Sequence, residues 1–159
     1  ELLSRDIQLV ILGKGDWKYE QLLSEAQKRY PSRLSFNLAF SNELAHNIYA
    51  GSDMFLMPSQ SEPCGLSQMI SLIYGTAPIV RETGGLRDTI VPYLAGGNGF
   101  VFAGYNTHDM LYVVDQALGV YADKKRWREL IAGGMKGDYS WKTSAGRYIS
   151  LYRGLTGKR

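Results

Sequence analysis

Three observations predict an α/β fold with a parallel sheet and helices on both faces. Short apolar runs, such as Ile7–Leu12 and Asp53–Met57, end at glycine or proline, which is typical of buried parallel strands. Segments with apolar residues at helical spacing alternate with these runs, and this alternation favours a parallel sheet. The length of 159 residues fits one domain with a substantial core, so residues 1–159 are expected to form a single domain.

The predicted elements alternate along the whole chain. Strands are predicted over residues 7–12, 34–39, 53–57, 78–81 and 99–102. Helices are predicted over residues 17–29, 41–51, 65–74, 86–91, 107–121, 123–131 and 140–153. Asp16 is expected to cap the first helix and Ser41 or Asn42 the second, and Thr107 or Asp109 should open the fifth. In a Rossmann-like sheet of this kind, ligands bind at the carboxyl ends of the strands, where the glycine-rich turns of this chain lie.

Composition and charge exclude several classes of partner. The net charge is +3 without a basic run, which argues against nucleic-acid binding. No long apolar span or signal peptide is visible, so no membrane association and a cytoplasmic location are expected. One cysteine and two histidines, widely spaced, form neither a disulfide framework nor a metal-binding pattern. The chain begins without methionine and enters a strand almost at once, which suggests a piece of a longer protein.

The segment from Pro58 to Gln68 carries the strongest indication of a binding site. It follows an apolar strand, and Pro63 disfavours a helical conformation for Glu62, which should place its carboxylate at the strand's carboxyl edge. A helix start near Gly65 would leave the amides of Gly65, Leu66, Ser67 and Gln68 free to bind a phosphate-like anion. A carboxylate beside such amides suits a sugar nucleotide. The alternative is a capped loop with a solvated glutamate.

Three other features of the sequence have either a structural or a functional explanation. Gly13-Lys14-Gly15 follows the first strand, but Lys18 stands where a dinucleotide-binding fingerprint needs a third glycine, so a structural turn is favoured over a nicotinamide site. Phe40, at the end of the second strand, is either a core residue or a ring at the ligand edge. A Cys–His nucleophile pair at Cys64 has no support in the sequence.

The stretches Ser61-Glu62-Pro63-Cys64-Gly65-Leu66-Ser67-Gln68 and Tyr74–Thr89 resemble bacterial glycogen synthases and plant starch synthases. The resemblance implies the carboxyl-terminal, nucleotide-sugar-binding domain of a two-domain retaining glycosyltransferase, whose amino-terminal domain is absent. It implies transfer of glucose from ADP-glucose to the non-reducing end of an α-1,4-glucan, without a further cofactor. The implied partners are ADP-glucose, the glucan and the amino-terminal domain; the location would be plastidial in a plant. The isolated chain is expected to be inactive.

The same resemblance assigns roles to individual residues. Glu62 would be catalytic, and the donor sugar and phosphates would be bound by Cys64, Gly65, Leu66 and Ser67. The nucleotide would contact Gly13, Gly15 and Phe40, where Phe40 replaces the tyrosine that commonly stacks on the base. The cleft loop would comprise Arg81, Thr83, Gly84 and Gly85, although a tight turn with an exposed arginine also explains it.

Three aspects of the function are not assigned by the sequence. Related glycosyltransferases carry a second glutamate where Ile70 stands, so the ribose contact is unassigned. Alternatives to a synthase are a non-catalytic nucleotide-sugar-binding module, another glycosyltransferase, or a sugar-nucleotide epimerase. The choice between ADP and UDP also stays open.

Overall fold

The computed structural model describes residues 1–157, which divide into two compact units, Glu1–Ser52 and a second that begins at Asp53. In the first unit a short 3-10 helix, Leu2–Ser4, precedes an alternating series: β1 Leu9–Leu12, α1 Trp17–Arg29, β2 Leu34–Asn37 and α2 Asn42–Gly51. Strands β1 and β2 pair in parallel, with Leu9 opposite Leu34.

Both predicted helix caps in this unit are confirmed. The Asp16 carboxylate accepts a hydrogen bond from the amide of Lys18, and the Ser41 hydroxyl accepts one from the amide of Leu44. Each bond satisfies a first-turn amide that the helix itself leaves without a partner.

The second unit, as far as residue 157, contains three strands and five α-helices. Its elements are β3 Met54–Met57, α3 Ser67–Ile73, β4 Ala77–Arg81, α4 Gly84–Thr89, β5 Phe100–Phe102, α5 Thr107–Ala122, α6 Lys124–Gly134 and α7 Trp141–Thr156, with a 3-10 helix at Tyr93–Ala95. The strands pair in parallel in the order β3-β4-β5.

The core of the second unit surrounds its central strand, β4. Residues Ala77 to Val80 are all buried, which agrees with their continuous apolar character. Val80 packs with Leu72 of α3 and with Leu86 and Ile90 at α4. Because α3 follows β3, α4 follows β4 and the two strands are parallel neighbours, both helices begin at the carboxyl end of this sheet.

The predicted alternation of strands and helices is confirmed, but two details of the prediction are wrong. Among the described residues, the strands form two parallel sheets rather than one: β1 and β2 in the first unit, and β3, β4 and β5 in the second. Helix α3 begins at Ser67 rather than Gly65, because Gly65 is in the left-handed conformation with φ of 74°. Helix α5 begins at Thr107, as predicted, and is capped by Asn106, whose side chain accepts a hydrogen bond from the amide of Asp109.

Within residues 1–157, the helices lack the combination of length and apolar character that a membrane crossing requires.

Candidate active site

The residues Pro58–Leu66, which connect β3 to α3, are here called the site loop. Glu62 lies half-buried in its middle. Its backbone carbonyl accepts a hydrogen bond of 3.0 Å from the amide of Gly85 at the start of α4. Its carboxylate forms no hydrogen bond or ion pair with the residues that the structure describes. The main chain of Glu62 is therefore anchored while its acidic group is available to a ligand.

The end of the site loop presents backbone donors. Among residues 1–157, no carbonyl or side chain accepts a hydrogen bond from the amides of Gly65, Leu66, Ser67 or Gln68. The sequence predicted that the amides of Gly65 and Leu66 belong to the first turn of the helix. Because helix α3 starts at Ser67, they belong to the loop instead. Partner-free amides of this kind are suited to bind an anion.

The side chain of Gln68 also supports the site loop, a role that was not predicted from the sequence. It is completely buried, at 0% exposure. Its Nε2 donates to the carbonyls of Cys64 at 3.2 Å and Gly65 at 2.9 Å, and to Oγ1 of Thr89 at 3.1 Å. The sequence carried no signal for this role, because the burial that requires a polar side chain to be hydrogen-bonded is visible only in the structure.

The structure brings the second predicted turn against the site loop. A Cβ at Gly84 would lie 2.0 Å from the carbonyl oxygen of Glu62, and one at Gly85 would lie 2.1 Å from that of Cys64. Gly84 also has a positive φ of 44°. Both glycines are therefore required for backbone-to-backbone packing between the turn and the site loop, which holds Glu62 and Cys64 in place.

Arg81 supports the site loop from β4. Its Nη1 donates to the carbonyl of Gln60 at 2.7 Å and to that of Ser59 at 3.4 Å. Its guanidinium also stacks over the ring of Tyr105, 5.3 Å from the centroid. Nε of Arg81 is buried and has no partner among the described residues. Arg81 is thus half-buried and holds the site loop. This differs from the alternative prediction of a tight turn with an exposed arginine.

Two other predicted site residues lie beside these contacts. Thr83 is the N-terminal flanking residue of α4, but its side chain makes no capping hydrogen bond. Cys64 is exposed, and its thiol lies 3.6 Å from the carbonyl of Gly65. In the part of the chain that the structure describes, the His, Cys, Asp and Glu side chains form no group of three able to hold a metal ion.

Three predicted residues belong to the first unit. The amide of Gly13 donates to the carbonyl of Asn37 at 3.2 Å, and the amide of Gly15 donates to the Glu20 carboxylate at 2.9 Å. Neither amide is free for a nucleotide in this arrangement. The ring of Phe40 is 88% exposed, which excludes a core role for Phe40 within the described residues.

Residues 1–132 match the family described as "Glycosyl transferases group 1". The chain belongs to this family. Membership in the glycosyl transferase group 1 family agrees with the alternating parallel strands and helices of the described residues.

The curated proteins most similar in sequence to this chain include bacterial glycogen synthases. The chain is 52% identical to the glycogen synthase of Geobacillus thermodenitrificans over 99% of its length and 54% identical to that of Clostridium perfringens over 97%. It spans about a third of the length of either relative, 33% in both cases.

A solved structure agrees with these relatives. The catalytic domain of starch synthase IV from Arabidopsis thaliana, bound to ADP and acarbose, superposes with a TM-score of 0.83 at 34% identity. The match covers 91% of this chain and 31% of that one. A sucrose-phosphate synthase from Thermosynechococcus elongatus shares the fold, with a TM-score of 0.68 at 21% identity over 96% of this chain and 39% of that one.

Proposed function

We propose that this chain is the donor-binding half of a glycogen or starch synthase that transfers glucose from ADP-glucose to the non-reducing end of an α-1,4-glucan with retention. The observation that carries the proposal is the site loop, where a partner-free carboxylate at Glu62 is followed within a few residues by the partner-free amides of Gly65 to Gln68. Identities above 50% to glycogen synthases over nearly the whole chain support it.

The chemistry of the transfer explains why both features belong to one loop. When the glycosidic bond of a sugar nucleotide breaks, negative charge develops on the diphosphate and positive charge on the sugar. Amides of Gly65, Leu66 and Ser67 that already point at the diphosphate would stabilise the first charge without rearranging. Glu62 would bind sugar hydroxyls, orient the anomeric carbon and favour the second charge.

The remaining residues have supporting roles in this proposal. The Cys64–Gly65 backbone would contact glucose hydroxyls. Arg81, Thr83, Gly84 and Gly85 would keep the site loop at the ligand. In the first unit, the exposed ring of Phe40 would offer a stacking face to the base, and the Gly13–Gly15 turn would contact the nucleotide through groups other than its two bonded glycine amides.

ADP-glucose is proposed as the donor, with no further cofactor, because the resembled enzymes use it and because the similar starch synthase structure contains ADP. The full-length protein would then act on glucan in the cytoplasm, or in the plastid if it comes from a plant.

A product assay of the full-length protein tests the proposal. The protein is incubated with glycogen and either ADP-glucose or UDP-glucose, and both nucleotide release and glucose incorporation are measured. We expect stoichiometric ADP release and elongated chains that an α-1,4-specific glucanase removes. Conversion of the sugar nucleotide without nucleotide release would instead indicate an epimerase. Binding of ADP-glucose without turnover would indicate a non-catalytic module.

A further inference from the structure

We propose that the side chains of Gln68 and Thr89 are positioning residues that orient the amides of Gly65 and Leu66 toward the donor diphosphate. The inference rests on the proposed function, because it takes those amides as the anion-binding groups. Neither side chain is expected to touch the substrate.

The geometry of the peptide bond connects Gln68 to these amides. In a trans peptide group the carbonyl and the N–H point in opposite directions within one plane. The carbonyl of Cys64 shares its plane with the N–H of Gly65, and the carbonyl of Gly65 shares its plane with the N–H of Leu66. Since Nε2 of Gln68 binds both carbonyls from the buried side, at 3.2 and 2.9 Å, both N–H groups are directed away from the interior.

Thr89 links this arrangement to helix α4. Its hydroxyl donates to the carbonyl of Gly85 at 2.8 Å and accepts from Nε2 of Gln68 at 3.1 Å. The amide of Gly85 in turn donates to the carbonyl of Glu62 at 3.0 Å. Hydrogen bonds to the N–H and the carbonyl of Gly85 therefore connect the main chain of Glu62, through α4, to the peptide planes of Cys64 and Gly65, so one network positions the main chain at Glu62 and the two amides.

The orientation of the Gln68 amide follows from its neighbours. The Cys64 and Gly65 carbonyls only accept hydrogen bonds, and the single hydroxyl proton of Thr89 is already used, so the nitrogen and not Oε1 must face the three oxygens, with one of its two hydrogens shared between two acceptors. Oε1 lies 2.5 Å from the place that a Cβ at Gly65 would occupy. Gln68 therefore also explains why position 65 requires glycine, in addition to its positive φ.

The test uses variants of the full-length protein that remove the donor with little change in volume. Thr89→Val removes the hydroxyl, and Thr89→Ser keeps it as the conservative rescue. Gln68→Glu replaces the donating NH2 by a carboxyl group. Ser71→Ala is the matched control, because Ser71 is also fully buried on α3 but its hydroxyl donates only to the carbonyl of Gln68, away from the site loop.

The decisive measurement is the dissociation constant for ADP beside that for adenosine, which lacks phosphates. Thr89→Val should weaken ADP binding by roughly tenfold, which is about 1.4 kcal/mol, and leave adenosine binding unchanged. Thr89→Ser and Ser71→Ala should keep both constants near the wild-type values. A purely structural role would instead weaken both ligands together, in proportion to lost stability.

Gln68→Glu adds a pH signature. When ionised, its carboxylate repels the carbonyls of Cys64 and Gly65; when protonated, its O–H donates to one of them. Burial favours the protonated form. The ratio of the variant's ADP dissociation constant to that of wild type should therefore fall as the pH is lowered from about 8 to about 6.

The possible outcomes separate this inference from the proposed function. If wild type binds ADP and all folded variants bind it equally well, the positioning role is overturned and the proposed function stands. Parallel losses of ADP and adenosine affinity in Thr89→Val also overturn the role. If wild type binds neither ADP nor UDP, both proposals are overturned.

Discussion

Replacing Gly85 by alanine tests directly whether the packing of α4 against the site loop positions the site. The added Cβ would lie 2.1 Å from the carbonyl oxygen of Cys64, 2.6 Å from its Cα and 2.7 Å from its carbonyl carbon. All three atoms belong to the backbone, so no side-chain rotation relieves the contact. Gly85 has no positive φ, and the effect of the substitution therefore comes from the contact and not from an unfavourable backbone conformation.

The magnitude follows from these distances. To restore an ordinary van der Waals separation, the site loop must move by roughly 1 Å. Overpacking of this kind typically lowers the free energy of unfolding by about 1–3 kcal/mol. A misplacement of about 1 Å in a catalytic group is enough to reduce turnover by roughly a hundredfold. Gly85→Ala should therefore produce a folded but poorly active enzyme.

The assay compares the full-length Gly85→Ala and Gly119→Ala variants by glucose transfer from ADP-glucose and by denaturant unfolding. Gly119 lies inside helix α5 and has nothing within 4 Å of its Cβ position, so alanine there should stabilise the protein by about 0.5–1 kcal/mol and leave turnover unchanged. Wild-type turnover in Gly85→Ala would refute the reasoning, because the loop would then tolerate displacement without functional loss.

Three further predictions concern single side chains. Glu62→Gln should reduce turnover about a hundredfold, equivalent to about 2.7 kcal/mol, with little change in substrate affinity or unfolding; near-normal steady-state kinetics would remove Glu62 from the reaction. Phe40→Ala should weaken ADP binding by about 1–3 kcal/mol in titration calorimetry, while its unfolding free energy stays within about 0.5 kcal/mol, since the ring is exposed. Hydrogen bonds from Thr143 and Ser140 lower the pKa of Asp138 from 3.8 to about 2. Asp138→Asn should therefore lower the thermal unfolding temperature above about pH 4, and the difference from wild type should disappear as the pH falls toward 2. A difference in unfolding temperature that does not change with pH would contradict this prediction.

Local patterns in the sequence predicted most of the secondary structure. The apolar run at β4, the helical spacing in α1 and the caps at Asp16 and Ser41 depend on residues within a few positions of one another, and all are present in the structure. The position of the site loop after β3 was predictable for the same reason, because a proline-containing turn follows an apolar strand.

The errors of prediction lie where a backbone conformation depends on its surroundings. The sequence predicts a helix start at Gly65, but Gly65 adopts a left-handed conformation and α3 begins at Ser67. The side-chain amide of Gln68 leaves no room for a side chain at position 65, and this close contact forms only when α3 is folded against the loop.

The sequence by itself determined the α/β alternation, the helix caps and the segment that carries Glu62 and the free amides, because these depend on local spacing and local backbone chemistry. Only the tertiary structure decided that Gly84 and Gly85 must pack on the site loop, that Arg81 turns back to its carbonyls, and that Gln68 and Thr89 connect the loop to α4. The physical reason is that these contacts join residues about twenty positions apart, whose approach is set by the packing of α3 and α4 around β4 and not by any pattern in the residues themselves.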